Sequence, residues 1–366
     1  MSAGRRLVET LVVGGGPAGT ATALTLARSR VGVELIERQA AAQNVVCGGF
    51  LGWDALAALR RLGVDAQELG ARPITRLRLT SGRRVVETRL PMPGAGLSRL
   101  CLDEALRRAA EAAGATLRRG LAVRGGDAAG LTVRLDDGSE VRAGAALFLA
   151  TGKHELRGMA RPLPERGRGA VGLRAAFVPD PALATALAGL IELHPFDGGY
   201  AGLLLQEGGQ ANLCLSVAAE RLRQAGSIED LLAALVLEAP LLGDRLAQAT
   251  GAEWISVSNV PYGWRARGSA PNLYRVGDQA AVIASLAGDG IAMALTSGIA
   301  AAEAFLRGDS GDLFQRRWAA RSARPLRVAE GLRWAAETAA PRRATMGLMA
   351  VAPGLARLAA RLTRIA

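Results

Sequence analysis

The sequence predicts an α/β protein: a Rossmann-like dinucleotide-binding domain, an inserted β-rich domain and a helical C-terminal segment. Three observations carry this expectation. Near the start, an apolar run, a G-x-G-x-x-G turn and an alanine-rich stretch lead to a second apolar run that ends in Glu37. From about Gly169 the periodicity changes to short strands, the later ones separated by glycine pairs. After Gly290 the pattern turns helical and stays so.

Residues 7–13 read as a strand, 20–29 as a helix and 31–37 as a second strand, a βαβ unit with an acid at its tip. Gly14, Gly16 and Gly19 fill the three glycine places. They serve the tight turn, the close approach of backbone to a pyrophosphate, and helix–strand packing. Pro17 and Ala18 lie inside this turn, at a helix N-terminus whose free N–H groups favour phosphate. Glu37 is expected to accept hydrogen bonds from ribose hydroxyls, with Arg38 beside it.

Residues 53–62 read as a helix that stops at Gly63. Segments 74–80 and 83–90 alternate about Ser81-Gly82 as a hairpin, broken off by Pro91-Met92-Pro93-Gly94. A helix over 100–113 precedes a strand at 115–117. A second hairpin joins 131–135 to 140–142, and 145–150 is a buried strand. Further strands are expected at 171–177, 190–195, 200–206 and 211–217. Helices at 228–237 and 241–249 lead to a strand at 254–260. Residues 273–278 are strand-like, and Gly290 opens a helix to Leu306. Helical segments then stop at Pro325, Pro341 and Pro353-Gly354. The implied architecture is discontinuous: a dinucleotide-binding domain from 1–72, 92–168 and 263–310, a β-rich substrate domain from 73–91 and 169–262, and C-terminal helices from 311–366. A ligand is expected between the two domains.

Composition narrows the function classes. Half of the 366 residues are hydrophobic, enough for a sizeable core. The net charge is +12, and 11 arginines against 3 acids place +8 of it from Asp312 onward. Lys153 is the only lysine, so the arginine bias is poor evidence for nucleic-acid binding, and no nucleic-acid motif accompanies it. Cys47, Cys101 and Cys214 are odd in number and far apart, and His154 and His194 are the only histidines. No metal spacing appears, and a reducing cytoplasm is the expected compartment. Basic and apolar residues interleave from Arg316 to Leu362, which fits packing on the dinucleotide domain or weak association with a membrane surface.

Two later stretches choose the dinucleotide. Ala150-Thr151-Gly152 closes a buried strand in an A-T-G turn. A strand ending in Gly277-Asp278 offers a carboxylate to a ribityl hydroxyl. Gly288-Asp289-Gly290-Ile291 then starts a helix whose dipole would stabilise negative charge at a flavin N1–C2=O edge. These point to FAD. No second G-x-G-x-x-G lies on a strand–helix unit, so NAD(P)H is expected only as a transient reductant, with another electron donor as the alternative.

Four ordered motifs now carry a resemblance: Gly14 to Gly19 with Glu37, Arg99 to Leu106, Ala150 to Gly152, and Gly277 to Ile291. The chain resembles the flavoprotein superfamily of p-hydroxybenzoate hydroxylase-type enzymes, geranylgeranyl reductases and flavin-dependent halogenases. The resemblance implies a Rossmann-like FAD-binding domain (GR2-type) and makes Arg99 a phosphate or ribityl contact. Many relatives carry a proline shortly after the Gly-Asp, where this chain has Ala284-Ser285-Leu286-Ala287.

The resemblance also frames the reaction. Cys47-Gly48-Gly49 is similar to a Cys-Gly-Gly segment of the reductases, placing Cys47 and Gly48 beside the isoalloxazine, with the thiol as a candidate proton donor. Residues 200–205 lack the Trp and Pro of the reductases' aromatic strand. Tyr200 and His194 are further candidates for the substrate pocket, and Lys153 with His154 reads as a solvated loop. Leu203, Leu204, Leu205, Leu213 and Leu215 suggest an apolar substrate. The first expectation is an NAD(P)H-driven monooxygenase of an apolar aromatic or polyketide-like substrate. Double-bond reduction of an isoprenoid-like chain is the alternative, followed by a dehydrogenase coupled to an electron carrier.

Overall fold

The structure, a computed structural model, describes residues 5–163 and 169–365. β1 (Arg5–Val13), α1 (Pro17–Arg28) and β2 (Val33–Glu37) form the βαβ unit that the glycine turn predicts. All five residues of β2 are buried, as a parallel strand covered on both faces requires. β3 (Phe50–Leu51) and α2 (Trp53–Arg61) precede the long hairpin of β4 (Arg72–Ser81) and β5 (Arg84–Gly96). Ser98 caps α3 (Arg99–Ala112), accepting the Cys101 N–H at 3.1 Å. β6 (Thr116–Arg119), β7 (Val123–Asp127), β8 (Thr132–Leu135) and β9 (Glu140–Leu149) follow.

The β-rich part opens with β10 (Ala170–Phe177), α4 (Pro181–Leu187), β11 (Leu190–Phe196), β12 (Gly199–Leu205) and β13 (Ala211–Ala218). Three helices, α5 (Ala219–Ala225), α6 (Ile228–Glu238) and α7 (Pro240–Gln248), lead to β14 (Ile255–Val260). The chain then returns through β15 (Leu273–Arg275) to α8 (Gly290–Leu306). α9 (Gly311–Glu337), α10 (Ala339–Val351) and α11 (Gly354–Leu362) close it.

Two sheets result. In the first, β6, β2, β1 and β9 run parallel, β8 and β7 extend the sheet antiparallel, and β15 pairs with the far end of β9. The second has the order β14-β10-β13-β12-β11-β4-β5-β3, antiparallel except where β11 meets β4. α1 and α8 pack so closely on the first sheet's face that a Cβ on Gly298 would stand 2.3 Å from the Ala18 carbonyl oxygen.

Three expectations change. β5 runs through Pro91 and Pro93 to Gly96, because β3 covers its outer edge only at Ala95 and Gly96 and the prolines sit where that edge is free. Pro325 does not stop α9: Phe314, Trp318, Leu326 and Ala329 bury both halves against one core, which outweighs the lost hydrogen bond. Pro341 falls in the first turn of α10, where no N–H is required. β7, α4 and α5 were not expected from the pattern. The C-terminal helices do pack on the molecule, through Trp318, Leu326 and Met346, and no helix among the described residues is long and apolar enough to cross a membrane.

Candidate active site

The nucleotide end is built on the tip of β1. Gly14 takes φ +106°, and a Cβ there would strike the Ala150 carbonyl oxygen at 2.4 Å; at Gly19 it would meet the Gly14 oxygen at 1.9 Å. No side chain caps α1 at Gly16, so its first N–H groups remain available to an anion. Glu37 fastens the turn, accepting the Gly15 N–H at 2.6 Å on one oxygen and the Gln39 N–H at 2.9 Å on the other. Each oxygen keeps a second lone pair for a ribose hydroxyl. Arg107, which the sequence reading missed, is buried behind this turn. Its Nε donates to Gly15 O at 3.0 Å, while its Nη1 has no partner. Only helical periodicity marked that position in the sequence.

Arg99 holds Asp103 through two 2.7 Å hydrogen bonds, and a Cβ on Gly16 would lie 3.4 Å from its Nη2. Burial works against the charge, but Asp103 outweighs it and raises the Arg99 pKa. A cavity of about 450 Å³ is bounded here by Gly16, Glu37, Arg38, Arg99, Arg107 and Thr151. Three guanidinium groups, a helix N-terminus and an unpartnered buried Nη1 fit a pyrophosphate, which is the test FAD must pass here.

At the flavin end Gly277 takes φ +59° and donates its N–H to Ser297 Oγ at 2.8 Å, presenting Asp278 at the cavity. Asp278 Oδ2 accepts from Lys153 Nζ at 2.8 Å, and its carbonyl accepts from Arg161 at 2.6 Å. Burial alone would raise the Asp278 pKa; the Lys153 charge and hydrogen bond lower it. Lys153 is therefore a member of the site rather than of a solvated loop. His154 belongs to the nucleotide end, with Nε2 at 3.0 Å from Arg38 Nη2. Gly48 and Gly290 face open space, since a Cβ on either would meet nothing within 4 Å. Ile291 and Gly288 border the same cavity.

The substrate side of that cavity, about 240 Å³, brings Cys47, Tyr200, Cys214, Tyr262 and Ser285 together. Asn212 holds the cysteine segment by donating to Cys47 O at 3.1 Å and Gly48 O at 2.9 Å, and is itself held by Arg174 at 2.6 Å. Burial pushes the Cys214 thiol up to about 12 and the Tyr200 hydroxyl well above its usual value, so both stay protonated. Tyr200 donates to Ser285 Oγ at 2.6 Å; Tyr262 lies 2.5 Å from the same oxygen and 3.2 Å from Ser216 Oγ. The segment that departs from relatives thus supplies the hydroxyl joining two tyrosines. An adjoining cavity of about 140 Å³ is walled by Leu77, Leu79, Leu90, Met346 and Met349. Phe50, Ile191, Leu193, Leu286 and Gly288 line both.

His194 is not part of this wall. Strand alternation turns it to the other face of β11, where it meets Glu192 at 2.8 Å and Thr80 at 2.6 Å. Arg78 and Arg245 share that Glu192. Of the five leucines expected at the pocket, Leu204 and Leu215 reach it. Leu203, Leu205 and Leu213 pack with Leu231, Leu235 and Leu242 of α6 and α7.

Residues 7–144 match a family described as FAD binding domain. Over 346 residues the chain is 29% identical to a menaquinone reductase of Mycobacterium tuberculosis, covering 88% of this chain and 83% of that one. A geranylgeranyl bacteriochlorophyll reductase-like structure from Thermoplasma acidophilum superposes with a TM-score of 0.75 at 19% identity, over 99% of this chain and 94% of that one. A probable FAD-dependent monooxygenase from Pseudomonas aeruginosa gives 0.72 at 17% identity, over 93% and 99%. The last two are likenesses of fold. With residues 7–144 matching an FAD binding domain in sequence and the remainder matching in architecture, the chain is an FAD-dependent oxidoreductase, similar in fold to the reductase-like and monooxygenase structures above.

Proposed function

We propose that the chain reduces a carbon–carbon double bond in an isoprenoid-like apolar chain, of the kind a lipid quinone carries, with NAD(P)H or another two-electron donor as reductant. The observation that carries this reading is the adjacency of the two cavities: an apolar channel under the C-terminal helices shares Phe50, Ile191, Leu193, Leu286 and Gly288 with the cavity that contains Cys47. The reductase named above supports the same substrate class. The sequence favoured hydroxylation; the channel favours a long aliphatic chain over a compact ring, since most of its wall is aliphatic.

FAD, when bound and reduced, supplies the hydride that adds to one alkene carbon. The chain's own residues place the alkene, exclude water and supply a proton to the other carbon. The Cys47 thiol is the candidate donor, and the Tyr200–Ser285–Tyr262 hydroxyls form a protic wall of the same cavity. At the far end, exposed Leu348, Val351 and Leu358 stand in helices that also carry Arg343, Arg357 and Arg361. Such a rim suits uptake of a lipid substrate from an anionic membrane surface.

The test is product analysis with an isoprenoid quinone, with and without air. The proposal expects a product that gains two hydrogen atoms in both conditions. A product that gains an oxygen atom, and forms only in air, would establish hydroxylation instead. Cys47→Ala is expected to lower turnover at least ~100-fold, the lower end of general-acid contributions, with FAD binding intact. Unchanged turnover would make the thiol structural.

A further inference from the structure

Arg364, two residues beyond α11, reaches from the C-terminal helices into the turn that opens α8. Its Nη1 lies 2.7 Å from Asp289 Oδ1, 3.3 Å from Gly288 O and 3.7 Å from Asp54 Oδ1. Its guanidinium carbon sits 4.4 Å from the centre of the Trp53 ring, and its Nε donates to Ala360 O at 3.2 Å. The approach depends on Gly52, where a Cβ would come within 2.6 Å of Arg364 Nη1. Asp289 is fully buried, and the Oδ2 atoms of both Asp289 and Asp54 lack a partner.

We propose that Arg364 is a positioning residue that clamps α11 across the head of α8 and holds the Gly288–Asp289–Gly290 turn in the shape that receives the flavin. Gly288 borders both cavities and Gly290 faces open space at the flavin end, so a shift of this turn changes the cofactor seat directly. Arg364 also lines the apolar channel with Ala359, Ala360 and Thr363, so one contact sets both the channel wall and the cofactor turn.

The charge balance explains why an arginine is needed. Two buried carboxyls face one guanidinium, and the cluster is neutral when Asp54 and Asp289 share one proton. Burial drives the Asp289 carboxyl well above its usual range, Arg364 opposes that rise and Asp54 adds to it. Without Arg364 the pair must either take up a second proton or bury uncompensated charge. The proposal rests on the FAD assignment and is independent of the reaction catalysed.

The test measures FAD affinity of the full chain at pH 8 by flavin fluorescence, with folding followed by circular dichroism. Arg364→Gln is expected to weaken binding about tenfold or more, and Arg364→Lys, which keeps the charge, by less than about threefold. Asp54→Asn added to Arg364→Gln removes the negative charge left uncompensated and is expected to restore most of the affinity. Where Arg364→Gln alone does not fold, the double variant is expected to fold and bind FAD. Unchanged affinity in Arg364→Gln overturns the proposal, as does a double variant no better than the single one. An unaltered chain that binds no FAD contradicts the cofactor assignment and the proposal with it.

Discussion

Arg107 and Asp278 differ from the glycines of the turn in that their meaning depends on residues distant in sequence. Arg107 is buried beside the glycine turn with its Nη2 3.7 Å from Glu37 Oε2 and its Nη1 unpartnered, a donor whose missing acceptor a phosphate would supply. Arg107→Leu is expected to weaken FAD binding about ten- to a hundredfold, a charge-assisted hydrogen bond being worth roughly 1.5–3 kcal/mol; fluorescence titration measures it. Asp278 and Asp289 should respond to pH with opposite signs. Lys153 holds Asp278 below its usual range against the effect of burial, so its stabilisation is present above the unfolded value of ~3.9 and lost as pH falls through the lowered folded value. Asp289 is raised, so it costs stability as pH climbs from ~3.9 toward its folded value. Melting temperature against pH should therefore show Asp278→Asn losing an acid-side decline and Asp289→Asn losing a decline toward neutral pH. Opposite slopes would contradict these protonation states.

Local elements were the most readable in the sequence. The βαβ unit needs only neighbouring residues to declare itself, so Gly14, Gly16, Gly19 and Glu37 were found with their geometry. The prolines misled, because the effect of Pro325 depends on a core face on either side of it, and that of Pro93 on which edge of β5 is covered. The strand leucines were ambiguous for the same reason: alternation shows two faces but not which one meets the cavity. β13 contributes through Asn212, whose amide holds two carbonyls of the Cys47 segment. Asn212→Leu would leave both carbonyls and Arg174 without that partner, and is expected to cost about 1–3 kcal/mol in denaturant unfolding. It should also lower kcat more than Cys47-independent FAD binding, because the thiol loses its support.

At the scale of the molecule, the site is a product of folding order that no single stretch displays. One wall comes from the ends of β1, β9 and β15, the other from β11, β12 and β13, and the C-terminal helices close the channel between them. Tyr262 and Arg364 enter from a loop and the C-terminal end with no motif around them, and Lys153 and Ser285 lie beside or within motifs that assign them no role, so the sequence named the cofactor more clearly than the chemistry beside it. The most direct measurement is anaerobic single turnover. Protein holding reduced FAD is mixed with an unsaturated isoprenoid chain or its saturated counterpart, and oxidised-flavin absorbance is followed. The account predicts reoxidation by the unsaturated chain alone. Reoxidation by neither chain until oxygen is admitted would contradict it.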